Sequence, residues 1–482
     1  MEDFQLEAFT FGSVSFAYPK SEYNALCDIS FSVNKGEFVL VMGASAAGKS
    51  TLLSLLKREI APAGSLSGEI KVASSVGYLC QNAEESLVCD RVRSELAFGV
   101  ENLGKTREEI ELLVAETAAY FNLENKLESE CSSLSGGEKQ LVCLASVMMM
   151  KPDILVLDEP CSMLDPLSAE RFINMIKKLH EELGITVILS EHSAPQLYSY
   201  ADKIVFLENG RLAFEGTPAK TLDFLERTEN PMLSAVPFAF RFKNKELAVK
   251  SKEPEEIAGV TALEAKHIYY AYSKENDVLS DLNFKACKGS INAVIGCNGC
   301  GKTTLMKVLS GVYKPYRGKI KANGRVSMLT QSVKDLFTKE MCADEVTFGE
   351  LTDFLEISDI KERHPYDLSG GQAQRLALAK VLERKADIII LDEPTRGFDS
   401  PLKAKLTALL KKLCAEGKTV IIVTHDLDFA GECADFVSFM SEGRIAASGT
   451  KKRLFSTLAF YTTSLARLTK GKAVSTEDLL NE

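Results

Sequence analysis

The chain is written twice. Gly43-Ala-Ser-Ala-Ala-Gly48-Lys49-Ser50-Thr51 returns as Gly296-Cys-Asn-Gly-Cys-Gly301-Lys302-Thr303-Thr304, displaced by 253 positions. Leu134-Ser-Gly-Gly-Glu138 returns as Leu368-Ser-Gly-Gly-Gln372, and Ile154-Leu-Val-Leu-Asp158-Glu159-Pro160 as Ile388-Ile-Ile-Leu-Asp392-Glu393-Pro394, both displaced by 234. His192 returns as His425, displaced by 233. Landmarks recurring in one order mean two copies of one domain, overriding the three domains that 482 residues suggest at about 150 residues each. The copies span 1–228 and 261–482. Between them, 229–260 carries Pro231, Pro237, Pro254 and a Lys/Glu-rich stretch without sustained periodicity, the composition of a linker.

Phe38 to Met42 and Asn292 to Ile295 are short apolar runs ending in Gly, each followed by a Lys-Ser/Thr-Thr-Leu helix pattern. Ile154 to Leu157 and Ile388 to Leu391 read as further core strands, with Thr186 to Leu189 and Thr419 to Val423 as neighbours. Such unbroken β-branched runs alternating with helices predict a mainly parallel α/β sheet covered on both faces. Asn209-Gly210 and Glu442-Gly443 lie between strand-like stretches and predict hairpin turns.

Composition narrows the function. With 45% hydrophobic and 26% charged residues the chain can bury large cores, which excludes wholesale disorder. A net charge of -10 has the wrong sign for coating phosphodiester backbones, so nucleic acid is not an expected partner. The longest apolar run, Leu141 to Met150, is about half of the roughly 20 residues a bilayer needs. The acidic start Met1-Glu2-Asp3 is unlike a secretory leader, so cytoplasmic residence is expected. The twelve cysteines are scattered through apolar segments, and reduced thiols are expected.

A Gly-rich loop between a buried strand and a helix supplies the backbone N–H groups and helix dipole that a triphosphate needs. Gly43, Gly48, Lys49, Ser50 and Thr51 form one such P-loop, and Gly296, Asn298, Gly299, Gly301, Lys302, Thr303 and Thr304 the other. Lys49 and Lys302 would reach the β- and γ-phosphates of ATP, and Ser50 and Thr303 would offer hydroxyls to Mg²⁺. Asp158 and Asp392 end a core strand and would hold Mg²⁺, while Glu159 and Glu393 would polarise the attacking water. An isolated acidic pair is more often a turn or cap, but four apolar residues before it and a P-loop in the same domain favour catalysis. His192 and His425 are two of only five histidines and fall at equivalent positions after apolar strands, which suits a γ-phosphate sensor. Cys297-Asn-Gly-Cys300 has CxxC spacing but lies inside the second P-loop without a second ligand pair, so zinc is not expected.

Together these motifs resemble the nucleotide-binding subunits of ATP-binding-cassette (ABC) proteins over nearly the whole chain. Leu-Ser-Gly-Gly-Glu/Gln is the most specific element, because other P-loop ATPases lack it. The resemblance implies two tandem P-loop NTPase domains, each with a mainly parallel sheet core, an antiparallel β-subdomain and a helical subdomain. It implies that Tyr18 and Tyr272 stack on adenine, and that Gln81 and Gln331 are Q-loop glutamines near Mg²⁺. Asp165 and Asp399 match the D-loop. Ser135, Gly136 and Gly137, like Ser369, Gly370 and Gly371, form signatures that complete the ATP site of the other domain, so the two domains pair within one chain. Ser135 and Ser369 also read as ordinary N-caps, which is compatible with that role.

Three departures stand out: Ala46 where the family usually has Gly, Lys139-Gln140-Leu141 against Ala373-Gln374-Arg375, and Cys161 against Thr395. At positive φ, Ala46 would cost roughly 1–2 kcal/mol. None removes a phosphate lysine, catalytic carboxylate or switch histidine, so two hydrolytic sites are expected.

Among ABC proteins the chain looks most like energy-coupling-factor importers of vitamins and metal ions, through Val76 to Asn82, Ala97 to Asn102 and Glu345 to Gly349. Fused sugar importers are the rival, although their second P-loop is commonly degraded. ABC-F translation factors have a long charged two-helix arm where this chain has a short proline-interrupted linker, and DNA-repair ATPases carry zinc modules. The importer reading implies integral membrane partners, a transmembrane coupling protein and a substrate-binding component, and a peripheral place on the cytoplasmic face of the membrane. Finally, Gln81 to Ser135 spans 54 residues but Gln331 to Ser369 only 38, so the helical subdomain is expected to be smaller in the second half.

Overall fold

The computed structural model describes residues 6–19, 21, 23–191, 195–242, 247–250, 260–273 and 276–480. The chain divides into two compact units, Met1–Pro237 and Phe238–Glu482.

In the first unit one six-stranded sheet runs, in spatial order, Val76–Leu79, Ile154–Asp158, Thr186–Ser190, Phe38–Gly43, Lys203–Glu208 and Arg211–Gly216. The first five are mutually parallel and the last is antiparallel. Three central strands are buried at every position; on one face Val39, Val41, Ile154 and Ile188 pack against Phe9, Phe11 and Phe31 of a second sheet and against Leu52 and Leu53 of the helix that follows the P-loop, which leaves that side no water. Each buried Val, Leu or Ile there contributes about 1.5–3 kcal/mol. The hairpin turns through Asn209 and Gly210 at φ 50° and 72°, the left-handed pair that matches strand twist.

A second, antiparallel sheet has the order Leu26–Asn34, Glu7–Ala17, Ser65–Val72. Ile29, Phe31 and Val33 alternate into the core, where the Phe31 and Phe11 rings stack at 5.1 Å. The helical layer is Val92–Asn102, Arg107–Phe121 and Gly136–Met149. Thr106 and Glu109 start its middle helix with a reciprocal capping box.

The second unit repeats the plan, with the order Val326–Leu329, Ile388–Asp392, Thr419–Val423, Ile291–Ile295, Phe436–Ser441, Arg444–Thr450. Its antiparallel sheet is Leu279–Cys287, Thr261–Tyr270, Arg317–Ala322. The α/β arrangement expected from the sequence is therefore present in each unit. The helical layer differs: between Val326–Leu329 and Gly370–Leu382 the α-helices among the described residues are the short Cys342–Glu345 and Glu350–Phe354, joined by 3-10 turns. Of residues 229–260, Pro231–Ala235 forms a 3-10 turn in the first unit, while Val249 bridges to Leu479 in the second. No helix among the described residues is long and apolar enough to cross a membrane.

Candidate functional site

Each phosphate loop leaves a buried strand and enters a helix through a left-handed glycine, Gly48 at φ 96° and Gly301 at φ 103°. A Cβ on Gly43 would lie 2.4 Å from the Leu207 carbonyl oxygen, and one on Gly296 would lie 2.2 Å from that of Met440, so neither place admits a side chain. Gly299 sits at φ 78° and its counterpart Ala46 at φ 62°, the strained conformation the sequence raised as a condition. The Lys49 ammonium donates to the carbonyls of Gly43 and Ala44, both at 2.9 Å. Lys302 donates to Gly296 at 2.9 Å and to Cys297 at 2.7 Å. Both lysines are buried over their own loops. The Tyr18 hydroxyl meets Thr51 at 2.9 Å and that of Tyr272 meets Thr304 at 3.0 Å, with the tyrosines 43% and 59% exposed. These contacts tie an accessible aromatic ring to each loop.

The carboxylate pairs stand at the ends of Ile154–Asp158 and Ile388–Asp392. Glu159 and Glu393 have φ 46° and 50°, a left-handed backbone rare for Glu and of the kind that clusters at functional sites. Asp158 accepts from the Ser190 hydroxyl at 2.7 Å. Its pKa is raised by burial and by the Glu159 charge, against the hydroxyls of Ser190 and Ser50 and the Lys49 charge. Asp392 is pushed up to about 6, first by burial and then by Glu393. Neither carboxylate oxygen of Asp392 has a hydrogen-bond partner within distance among the described residues. A buried carboxylate so placed is costly alone and fits a cation.

Glu159 accepts from the Gln81 amide at 2.9 Å. Gln331 is exposed, and Glu393 is held instead by His425 Nδ1 at 2.8 Å and by the Thr424 hydroxyl and His425 N–H at 3.3 Å. Burial pushes the His425 imidazole down, but the charge of Glu393 and the hydrogen bond to it outweigh burial and raise the pKa. His192 lies outside the described residues. Its neighbour Glu191 accepts from the Cys161 N–H at 2.7 Å, a contact for which sequence reading gave no signal.

Ser135 and Ser369 N-cap the helices Gly136–Met149 and Gly370–Leu382, each reciprocated by the residue three along, Glu138 or Gln372. Ser135 and Gly136, like Ser369 and Gly370, are exposed, while Gly137 and Gly371 are half-buried. Asp165 caps Pro166–Leu183 through Leu167 N–H at 3.1 Å, and Asp399 caps Ser400–Ala415 through Leu402 N–H at 3.0 Å. The Gln374 amide donates to the Glu393 main-chain carbonyl at 3.0 Å and so ties the signature helix to the backbone after strand Ile388–Asp392. Its counterpart Gln140 is buried with its amide nitrogen unpartnered among the described residues. Lys139 pairs with Glu84 at 2.5 Å, whereas Arg375 donates to the carbonyls of Leu355 and Glu356 at 3.3 and 3.1 Å.

Two phosphate loops, each with an acidic strand end and a capped signature helix in its own unit, define a tandem P-loop ATPase. The ABC transporter family model matches residues 26–162 and 279–396, and the chain belongs to that family as an ATPase with two fused ATP-binding domains. A putative ABC transporter ATP-binding protein of Bacillus cereus is 34% identical over 519 aligned positions, with 94% of each chain covered. The putative HMP/thiamine import ATP-binding protein YkoD of Bacillus subtilis is 28% identical, with 93% of each covered. The solved structure of an RNase-L inhibitor matches with a TM-score of 0.66 at 24% identity, covering 92% of each chain, a likeness of fold.

Proposed function

We propose that this ATPase is the energy-supplying subunit of a membrane importer, of the energy-coupling-factor type, for a vitamin or metal ion. The observation that carries the reading is that both units keep the phosphate lysine, the Asp-Glu pair and the signature serine in a folded arrangement. The names of full-length relatives, transporter ATP-binding proteins and a thiamine-precursor import ATPase, support it. The membrane partners would be a transmembrane coupling protein and a substrate-binding component, with this chain on the cytoplasmic face. The unequal helical layers suit different coupling segments for the two units.

In this reading Lys49 and Lys302 exchange loop carbonyls for the β- and γ-phosphates of ATP, and the loop N–H groups donate to the phosphate oxygens. Tyr18 and Tyr272 carry the adenine. Glu159 and Glu393 orient water, His192 and His425 sense the γ-phosphate, and Ser135 and Ser369 present signature-helix N–H groups to phosphate. Asp165 and Asp399 shape the D-loops. Ser50, Gln81 and Asp158, and Thr303, Gln331 and Asp392, would hold Mg²⁺, for which the unpartnered Asp392 oxygens are suited. Bound there, Mg²⁺ would neutralise developing phosphate charge.

The test is ATP hydrolysis by the purified chain with the membrane proteins that co-purify with it, and separately with ribosomes. Stimulation by the membrane fraction in liposomes is expected. Stimulation by ribosomes and not by membrane subunits would overturn the importer reading.

A further inference from the structure

Cys297-Asn-Gly-Cys300 has the spacing of thiol–disulfide motifs and ends one residue before Gly301, the N-cap of helix Lys302–Leu309. The Cys300 N–H donates to the Cys297 carbonyl at 3.4 Å. A turn closed in this way keeps its first and fourth Cα within about 7 Å, against the roughly 4.4–6.8 Å that a disulfide spans. Both residues pack on one apolar cluster, Cys300 buried and Cys297 partly exposed. Burial pushes the Cys300 thiol up, Lys302 opposes it, and the adjacent Cys297 thiol adds to the rise. The first loop makes the same turn, Ala47 N–H to the Ala44 carbonyl at 3.2 Å, without either sulfur. The turn therefore does not need the thiols, and only the second loop has them.

We propose that Cys297 and Cys300 form a reversible disulfide, with a low-molecular-weight disulfide such as oxidised glutathione as oxidant, and that the bond weakens ATP binding at the second loop alone. The inference rests on the reading of this loop as an ATP cradle and adds its regulation. The partly exposed Cys297 loses its proton to solvent and attacks one sulfur of the oxidant. The glutathione S–S bond breaks, and one glutathione leaves and takes up a proton. Cys300 then loses its proton, attacks the Cys297 sulfur of the mixed disulfide and releases the second glutathione. Two protein thiols are oxidised and one glutathione disulfide is reduced to two thiols.

The new bond would fix a turn in which the Cys300 amide is spent on the Cys297 carbonyl, while the carbonyls of Gly296 and Cys297 hold the Lys302 ammonium. Phosphate needs those donors for itself. A free loop can exchange them, whereas a cross-linked loop is held in its self-bonded arrangement.

The full chain carrying Lys49→Ala, so that binding reports the second loop, is treated with oxidised glutathione, and one portion is alkylated for peptide masses while the other is left unalkylated for affinity. Peptide masses and affinity for a fluorescent ATP analogue are then read. Expected is a Cys297–Cys300 peptide that carries no alkyl group and is about 2 Da lighter than the unalkylated dithiol peptide, and ATP affinity roughly tenfold or more weaker, restored by dithiothreitol. Prior ATP should slow the cross-link. Cys300→Ala, which copies Ala47, should bind ATP when reduced and ignore the oxidant. Cys297→Ala, which copies Ala44, gives the same reading should the first variant fold poorly. Absence of this disulfide, or a disulfide with affinity within about twofold of the reduced protein, overturns the proposal while leaving the cradle reading intact. A reduced chain with both lysines present that binds no ATP overturns the cradle reading and this inference together.

Discussion

His425 Nδ1 lies 2.8 Å from Glu393 Oε2, so the residue proposed to sense phosphate holds the carboxylate proposed to orient water. Because Glu393 raises the imidazole pKa above its ordinary value, the pair stabilises the fold fully below the unfolded His value near 6.5. That contribution is lost as pH rises through the raised folded value. An NMR titration of the His425 ring should give a midpoint above about 6.5, and Glu393→Gln should bring it down, since burial then dominates. A midpoint that ignores Glu393→Gln would rule out the ion pair.

Ala46 and Gly299 offer a reciprocal test of backbone strain. Ala46→Gly should relieve about 1–2 kcal/mol of left-handed strain and return about 0.5–1 kcal/mol through the freer unfolded chain. A net gain of roughly 0.5–1 kcal/mol is expected in nucleotide-free unfolding. Gly299→Ala should lose a similar amount. Destabilisation by Ala46→Gly would show that the alanine is not strained.

Glu345 accepts from the backbone of Thr338 and Lys339 and pairs with Lys380. In the first unit Glu95 caps Val88 and Cys89 in the same way, but Ser146 stands where Lys380 does. Burial works against the Glu345 charge, yet Lys380 and the two amides hold its pKa below the usual carboxylate range. Its stabilisation is therefore present above the unfolded value near 4.5 and lost as pH falls through the lower folded value. Lys380→Ala strands a buried charge and should cost about 3 kcal/mol, lowering the unfolding midpoint by roughly 6–12 °C. Ser146→Ala should cost less than about 1 kcal/mol. Equal effects from the two variants would contradict the assigned ion pair.

Much of this was legible in the sequence because the informative residues are consecutive. The strands Ile154–Asp158 and Ile388–Asp392 are apolar up to their last residue, and the first loop glycines, Gly43 and Gly296, stand where a Cβ meets a carbonyl. The positive φ of Glu159 and Glu393 was not legible, because residue identity there favours ordinary backbone and the surrounding fold imposes the strain. The ties from Gln374 to the Glu393 carbonyl and from Lys380 to Glu345 join residues 19 and 35 apart, which only packing brings together. The shorter interval before Ser369 could be counted, but not that its remainder forms the two short helices near Glu345 and Leu351.

Two working ATP sites are tested most directly by steady-state ATP hydrolysis of the chain carrying Glu159→Gln and Glu393→Gln together, with ATP affinity measured on the same preparation. Turnover should fall by roughly 10²-fold or more while affinity stays close to that of the unmodified protein, because the lysines and loops still hold phosphate. Near-normal turnover in the double variant would contradict the assignment of both carboxylates.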